Sequence, residues 1–190
     1  MKCSRFSAVK RGLDICLAIP ALMVLSPLIF LIGVLIRLTM GSPVLFKQER
    51  PGLKGAPFHM YKFRTMSSSR DNEGHLLPDA ERLTPLGRFL RGASLDELPE
   101  LFNVLKGDMS IVGPRPVTAE EVELYGQHAE AYLAVRPGLT GAWQVSGRSD
   151  TTFAERVKLD VDYVRNQSFL RDLQIVSQTV KVVASRQGAC

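Results

Sequence analysis

The sequence predicts a mostly α fold with a small β element, joined to an N-terminal membrane segment of helix-break-helix form. Three observations predict it. From Ile15 to Ile36 no residue is charged, and as a straight helix at about 1.5 Å per residue that run would just cross a hydrocarbon core of roughly 30 Å. Beyond Gly41 most apolar residues recur at helical spacing. Only two short runs, one on each side of Pro51-Gly52, have strand character. The chain has 190 residues. With domains of roughly 100 to 200 residues, one compact domain over 41–190 and one attachment element over 1–40 are expected.

Length alone makes the apolar run a transmembrane helix, and two details argue for another path. Pro27 removes an amide donor and presses on the carbonyl of Met23, so a bend is expected at Ser26-Pro27, with Pro20 one further irregularity. The Ser26 hydroxyl can satisfy a carbonyl that the bend frees. Lys2, Arg5, Lys10 and Arg11 precede the run, and Arg37, Lys47, Arg50 and Lys54 follow it, so both flanks have the charge of a cytoplasmic face. A re-entrant hairpin that enters, turns at Ser26 and Pro27 and returns to the same face satisfies both details. A signal peptide would need a small-residue cleavage site, and the segment that follows is basic instead.

In the remainder, Val44 to Gln48 predicts a strand, Pro51-Gly52 a turn, and Phe58 to Met66 a second strand. Ser67 to Pro78 is polar and reads as a loop. Leu86, Phe89 and Leu90 predict a helix, and Leu98, Leu101, Phe102 and Leu105 predict another, with Gly107 as its stop. Thr118 with Glu121, and Thr152 with Glu155, are capping boxes that open two more. A last helix is expected from Phe169 to Arg186. Its Leu173, Val176, Val180 and Val183 form a face for the core or, as in an amphipathic interfacial helix, for the membrane.

Lys+Arg 24 against Asp+Glu 19 gives +5, which favours phosphates, lipid headgroups or nucleic acid. A nucleic-acid binder would interleave aromatics with its basic residues. Trp143 is the one tryptophan, and few aromatics lie near Arg88, Arg91 or Arg148. Cys3, Cys16 and Cys190 have no metal or redox spacing, as suits a reducing compartment.

The stretch Ser94-Leu95-Asp96-Glu97-Leu98-Pro99 carries the most chemistry. Ser94 with Glu97 resembles a capping box, but Pro99 would then break a bond to Leu95. With Asp96 as the cap, Pro99 falls where no bond is lost, and the helix start favours the ionised carboxylate. Such a carboxylate is either a plain N-cap or a nucleophile. A nucleophile attacking phosphate needs cations around it. Lys62, Arg64, Arg91, Arg115 and Arg148 are candidates, each otherwise a solvated surface charge. Arg115 stands out because Pro114 and Pro116 stiffen its mount, while Gly113 allows a ligand close.

Over about Lys10 to Gly188 the chain resembles the monotopic phosphoglycosyl transferases, a bacterial sugar transferase family. The motifs are, in order, Ser26-Pro27, Gln48-Glu49-Arg50-Pro51-Gly52, Tyr61-Lys62-Phe63-Arg64-Thr65-Met66, Ser94 to Pro99, Asn103 to Ser110, Gly113-Pro114-Arg115-Pro116, Arg136 to Gly141 and Gln144 to Arg148. The resemblance implies a re-entrant helix and a catalytic domain on the cytoplasmic face of the bacterial inner membrane. It implies Asp96 as nucleophile, Glu97 as its partner, and Lys62, Thr65, Arg91, Arg115 and Arg148 as phosphate-binding residues. Mg²⁺ would be held by Asp96. The reaction implied moves a sugar 1-phosphate from a nucleotide diphosphate sugar, a UDP-hexose such as UDP-galactose or UDP-glucose, to undecaprenyl phosphate. UMP would leave through an aspartyl-phosphosugar intermediate, initiating glycan assembly. Partners implied are the nucleotide sugar, a polyprenol phosphate and membrane lipids, with no nucleic acid, and a homodimer left open. The alternative is a membrane-tethered basic protein that binds nucleic acid or anionic lipid without catalysis.

Overall fold

The computed structural model describes residues 2–147 and 151–185, with side chains over 8–147 and 151–183. Helix α1 (Lys2–Met40) leads into a hairpin of β1 (Leu45–Pro51) and β2 (Pro57–Phe63), paired antiparallel from Leu45↔Phe63 to Arg50↔Phe58. Short helices α2 (Asp79–Arg82) and α3 (Pro85–Gly92) follow, then a 3-10 turn, Leu95–Glu97, and α4 (Glu100–Lys106). Strand β3 (Ser110–Val112) pairs in parallel with β4 (Gly138–Thr140), and α5 (Ala119–Glu123) and α6 (Ala129–Leu133) lie between them in sequence. Helices α7 (Ala142–Val145), α8 (Phe153–Arg165) and α9 (Phe169–Ser185) complete a mostly helical chain with two small sheets.

Helix α1 runs through Pro20 and Pro27 without interruption, which corrects the helix-break-helix expectation. Pro27 costs one ladder bond, and Ser26 replaces it locally: its Oγ donates to Met23 O at 3.0 Å, the carbonyl that Pro27 deprives. Packing then decides the path. Arg11, Asp14, Ala18, Leu22, Leu25, Ile29, Ile32 and Ile36, three or four residues apart, all face the rest of the chain. Arg11 donates to the carbonyls of Val104 and Leu105 at the end of α4, and buried Asp14 accepts from Ser110 Oγ and Ile111 N. Fully burying one Ile or Leu contributes about 1.5–3 kcal/mol, so this seam outweighs a single bond lost at Pro27. The outer face stays bare: Met23, Val24, Phe30 and Leu38 are more than 70 % exposed. By length and composition Ala8–Met40 could cross a membrane.

Several local expectations hold. Both capping boxes form, with Thr118 and Thr152 accepting from Glu121 N and Glu155 N. Gly107 ends α4 with φ 93°, a conformation that only glycine enters cheaply. Strand β2 stops at Phe63, short of Met66, because Arg64 turns aside to hold α1 in place: its guanidinium donates to the carbonyls of Met40, Ser42 and Met66. In α9 the inward face is one of Ile175, Val176 and Thr179, whereas Leu173 and Val180 are exposed, so the expected face is rotated. Arg186 lies outside the described residues.

Candidate active site

Three elements bring the charged residues together. Strand β2 supplies Lys62, the 3-10 turn supplies Asp96 and Glu97, and the loop after β3 supplies Arg115. Buried Asn103 fastens the first two: its Oδ1 accepts from Tyr61 N at 3.0 Å and its Nδ2 donates to His59 O at 2.7 Å, riveting α4 to β2. Glycines fasten the third. A Cβ on Gly113 would sit 2.5 Å from Arg136 O, and one on Gly141 2.0 Å from Gly113 O. The Gly113 loop and the Arg136–Gly141 segment therefore pack backbone to backbone. This corrects the expectation that Gly113 makes room for a ligand.

Glu97 is the hub. Its Oε1 accepts from Lys62 Nζ at 2.7 Å and from Arg115 Nη2 at 2.8 Å. Burial acts to raise the Glu97 carboxyl, and Arg115 and Lys62 overcome it and hold it well below the usual carboxylate range. Asp96, one residue earlier, has no hydrogen bond or ion pair to a described side chain. Burial first, and then the charge of Glu97, pushes Asp96 above its ordinary value, against Lys62 and Arg91. Asp96 is not a helix cap. It lies inside a 3-10 turn entered through Ser94 at φ 54°, and Pro99 precedes the first residue of α4, so the N-cap expectation and its ionising effect both fail here.

Arg91 and Thr65 lie together, Arg91 Nε donating to Thr65 Oγ1 at 3.1 Å. Gly87 makes this possible, since α3 lies so close to Thr65 that a Cβ there would be 1.9 Å from its carbonyl. Arg148 lies outside the described residues. The sequence reading missed Glu100. This buried carboxyl has Oε1 at 3.3 Å from Lys62 Nζ, and burial, then Glu97, pushes it up to about 8. Its one sequence signal is a third acid four residues after Asp96. Also missed are Tyr132 and Arg156, which donate to the Arg115 carbonyl at 3.1 and 3.3 Å. Arg156 lies 4.5 Å over the Trp143 ring.

The arrangement puts one carboxylate, unpaired among the described residues, beside a neutralised one, with Lys62, Arg91 and Arg115 around them. For a divalent cation the protein offers the Asp96 oxygens and no cluster of three acidic, histidine or cysteine ligands among the described residues. That donor set fits Mg²⁺, which takes one or two carboxylates and completes its shell with water and phosphate oxygens.

A family model described as bacterial sugar transferase matches residues 5–186. The chain is 48 % identical over 180 residues to an uncharacterized sugar transferase, EpsL, of Bacillus subtilis (strain 168), covering 95 % of this chain and 89 % of that protein. It is 42 % identical to the UDP-glucose:undecaprenyl-phosphate glucose-1-phosphate transferase of Caulobacter vibrioides, over 95 % of this chain and 71 % of the relative. It is 40 % identical to the undecaprenyl-phosphate galactose phosphotransferase of Salmonella typhimurium, over 98 % of this chain but 42 % of that longer protein. With a family match over nearly its whole length, the chain belongs to the bacterial sugar transferases and is a transferase enzyme.

Proposed function

We infer that the protein transfers a sugar 1-phosphate from a nucleotide diphosphate sugar, a UDP-hexose, to undecaprenyl phosphate, the first step in assembling a glycan or exopolysaccharide. One observation carries the chemistry: among the described residues Asp96 is left without a side-chain partner while its neighbour Glu97 is neutralised by Lys62 and Arg115. Two named relatives act on undecaprenyl phosphate, which supports the acceptor. An Asp96 oxygen attacks the sugar-bearing phosphorus, the bond from that phosphorus to the bridging oxygen breaks, and UMP leaves with the electron pair. A lipid phosphate oxygen then attacks the same phosphorus, which frees the Asp96 carboxylate and forms a polyprenyl diphosphate sugar. Lys62, Arg91, Thr65 and Arg115, with Arg148, hold the phosphates and shield the attack. Bound Mg²⁺ would neutralise charge on the diphosphate.

The acceptor tail has a place to lie. A groove of about 440 Å³ is lined by Phe30, Val34 and Leu38 of α1 together with Val44, Phe63 and Phe102. The domain flanks the whole seam from Arg11 to Ile36, which supports a monotopic placement at the cytoplasmic face of the inner membrane rather than a span that leaves the domain, with α1 entering and returning to one face as a bent but unbroken helix. Cysteines placed at Ser4 and Ser42 should label with an impermeant reagent from one face only; labelling from opposite faces would refute it. For the chemistry, donor alone should leave a phosphosugar on Asp96, detectable by mass spectrometry. Product formed by a polypeptide that never carries that mass defeats the mechanism. No observation favours the alternative of a non-catalytic binder of nucleic acid or anionic lipid.

A further inference from the structure

Behind Arg115 stands a second group of cations that the reaction as described does not use. Arg50, at the turn end of β1, has a side chain only 13 % exposed. Its Nη2 donates to the neutral amide of Gln48 at 2.8 Å, and its one ion pair among the described residues is with Glu121, at 3.4 Å. Its buried Nε has no hydrogen-bond partner among the described residues. Glu121 is already engaged, since its Oε2 accepts from Thr118 N at 2.7 Å to close the capping box, and its Oε1 lies 4.0 Å from Arg156. Arg156 has the same deficit: its Nε lacks a hydrogen-bond partner among the described residues and lies 3.8 Å from Asp160.

Three guanidiniums thus meet around one loop, Arg50, Arg156 and Arg115, with Arg156 gripping the Arg115 carbonyl and Arg115 reaching Glu97. Like charges packed this closely repel, and buried donors without acceptors cost free energy. Burial is the foremost cause that disfavours the Arg50 cation, and Arg115 and Arg156 add to it against the pull of Glu121. Each guanidinium has an acid within ion-pair range, Glu121, Asp160 or Glu97, yet the Nε groups of Arg50 and Arg156 keep donors to spare among the described residues. Planar forked donors suit phosphate oxygens, which accept two parallel bonds.

We propose that Arg50, with Arg156 behind it, forms a subsite for the diphosphate of the soluble nucleotide-sugar donor, adjoining Arg115. This rests on the transferase reading above and adds residues that the reading does not contain. The lipid phosphate is the other source of the same anion chemistry, and the hairpin separates the two. The apolar groove meets the hairpin at Leu45 and Phe63, whereas Arg50 pairs with Phe58, five residues along, or about 17 Å at 3.3 Å per residue.

The test compares full-length wild type, Arg50→Met and Glu121→Gln in detergent, by thermal unfolding with and without inorganic pyrophosphate and by kinetics with each substrate varied separately. Arg50→Met should melt about 2–4 °C higher than wild type without ligand, because a repelling charge is gone. It should lose most of the pyrophosphate-induced stabilisation and raise the donor KM about 10- to 100-fold. Glu121→Gln keeps the capping box, since Gln serves that position, and removes the competing acid. It should lower the donor KM, and it decides the matter alone if Arg50→Met does not fold. A lower melting temperature for Arg50→Met with an unchanged donor KM makes Arg50 a structural residue and overturns the proposal, as does an effect confined to the acceptor KM. Wild type that transfers no phosphosugar, yet needs Arg50 for pyrophosphate stabilisation, would instead sink the transferase reading and leave the anion subsite standing.

Discussion

Asp96 and Glu97 are adjacent in one 3-10 turn, yet the protein treats the two sides of that turn in opposite ways. Glu97 faces Lys62 and Arg115 and accepts a charge-assisted hydrogen bond from each. Asp96 has no side-chain partner among the described residues, and burial and the Glu97 charge work against its ionisation. One carboxylate is spent on holding cations in place, and the other is kept available. The difference teaches that a candidate nucleophile can be picked out by what its neighbour has been given.

The largest effect should come from Asp96→Asn, which removes the proposed nucleophile while keeping size and polarity. Transfer should fall about 1,000-fold or more, with a melting temperature equal to wild type or higher, since a charge beside Glu97 is gone. Substantial turnover by this variant would erase the contrast. Glu97→Gln should also lose activity, about 100-fold, but with the opposite stability sign. It leaves Lys62 and Arg115 without their counter-charge and should cost roughly 1–3 kcal/mol by denaturant unfolding. Equal stability of the two variants would mean that the turn has no distinct sides.

Gly113→Ala acts on the Glu97 side from a distance. Its Cβ would meet the Arg136 carbonyl at 2.5 Å, and the loop bearing Arg115 would have to shift. A loss of about 1–3 kcal/mol is expected, with activity falling more than stability explains. The smallest effect is a pH dependence. Glu100 has a folded value of about 8, above its unfolded value, so it contributes stability that is complete below the unfolded value and lost as pH rises through about 8. Glu100→Gln should therefore match wild type under acid conditions and become the more stable of the two at pH 9. Melting curves across that range that stay parallel would show that Glu100 is not held neutral.

Much of this was legible in the sequence because it rests on local chemistry. The hydroxyl of Ser26 reaching the carbonyl deprived by Pro27, the Thr118 and Thr152 boxes and the Gly107 stop all follow from residues within four positions of each other. Strands β3 and β4 were invisible: each has three residues, and their pairing joins Ser110 to Gly138 with no alternation to mark it. Arg64 and Arg115 look alike as basic residues in motifs, but one caps carbonyls at the end of α1 and the other grips Glu97, a distinction that only long-range packing makes. Glu100 drew no reading from the sequence, because only the fold buries it and brings Lys62 of β2 to within 3.3 Å of its carboxyl.

The seam along α1 bears on how this enzyme can be handled. Ala18 and Ile36 are wholly covered because Met109, Phe58, Phe63 and Leu90 close over them. Deleting the first forty residues to obtain a water-soluble version would strip the lid from two hydrophobic clusters at once. Crystallisation or screening campaigns should therefore keep the anchor and supply a detergent or nanodisc around it, because the truncated remainder should precipitate.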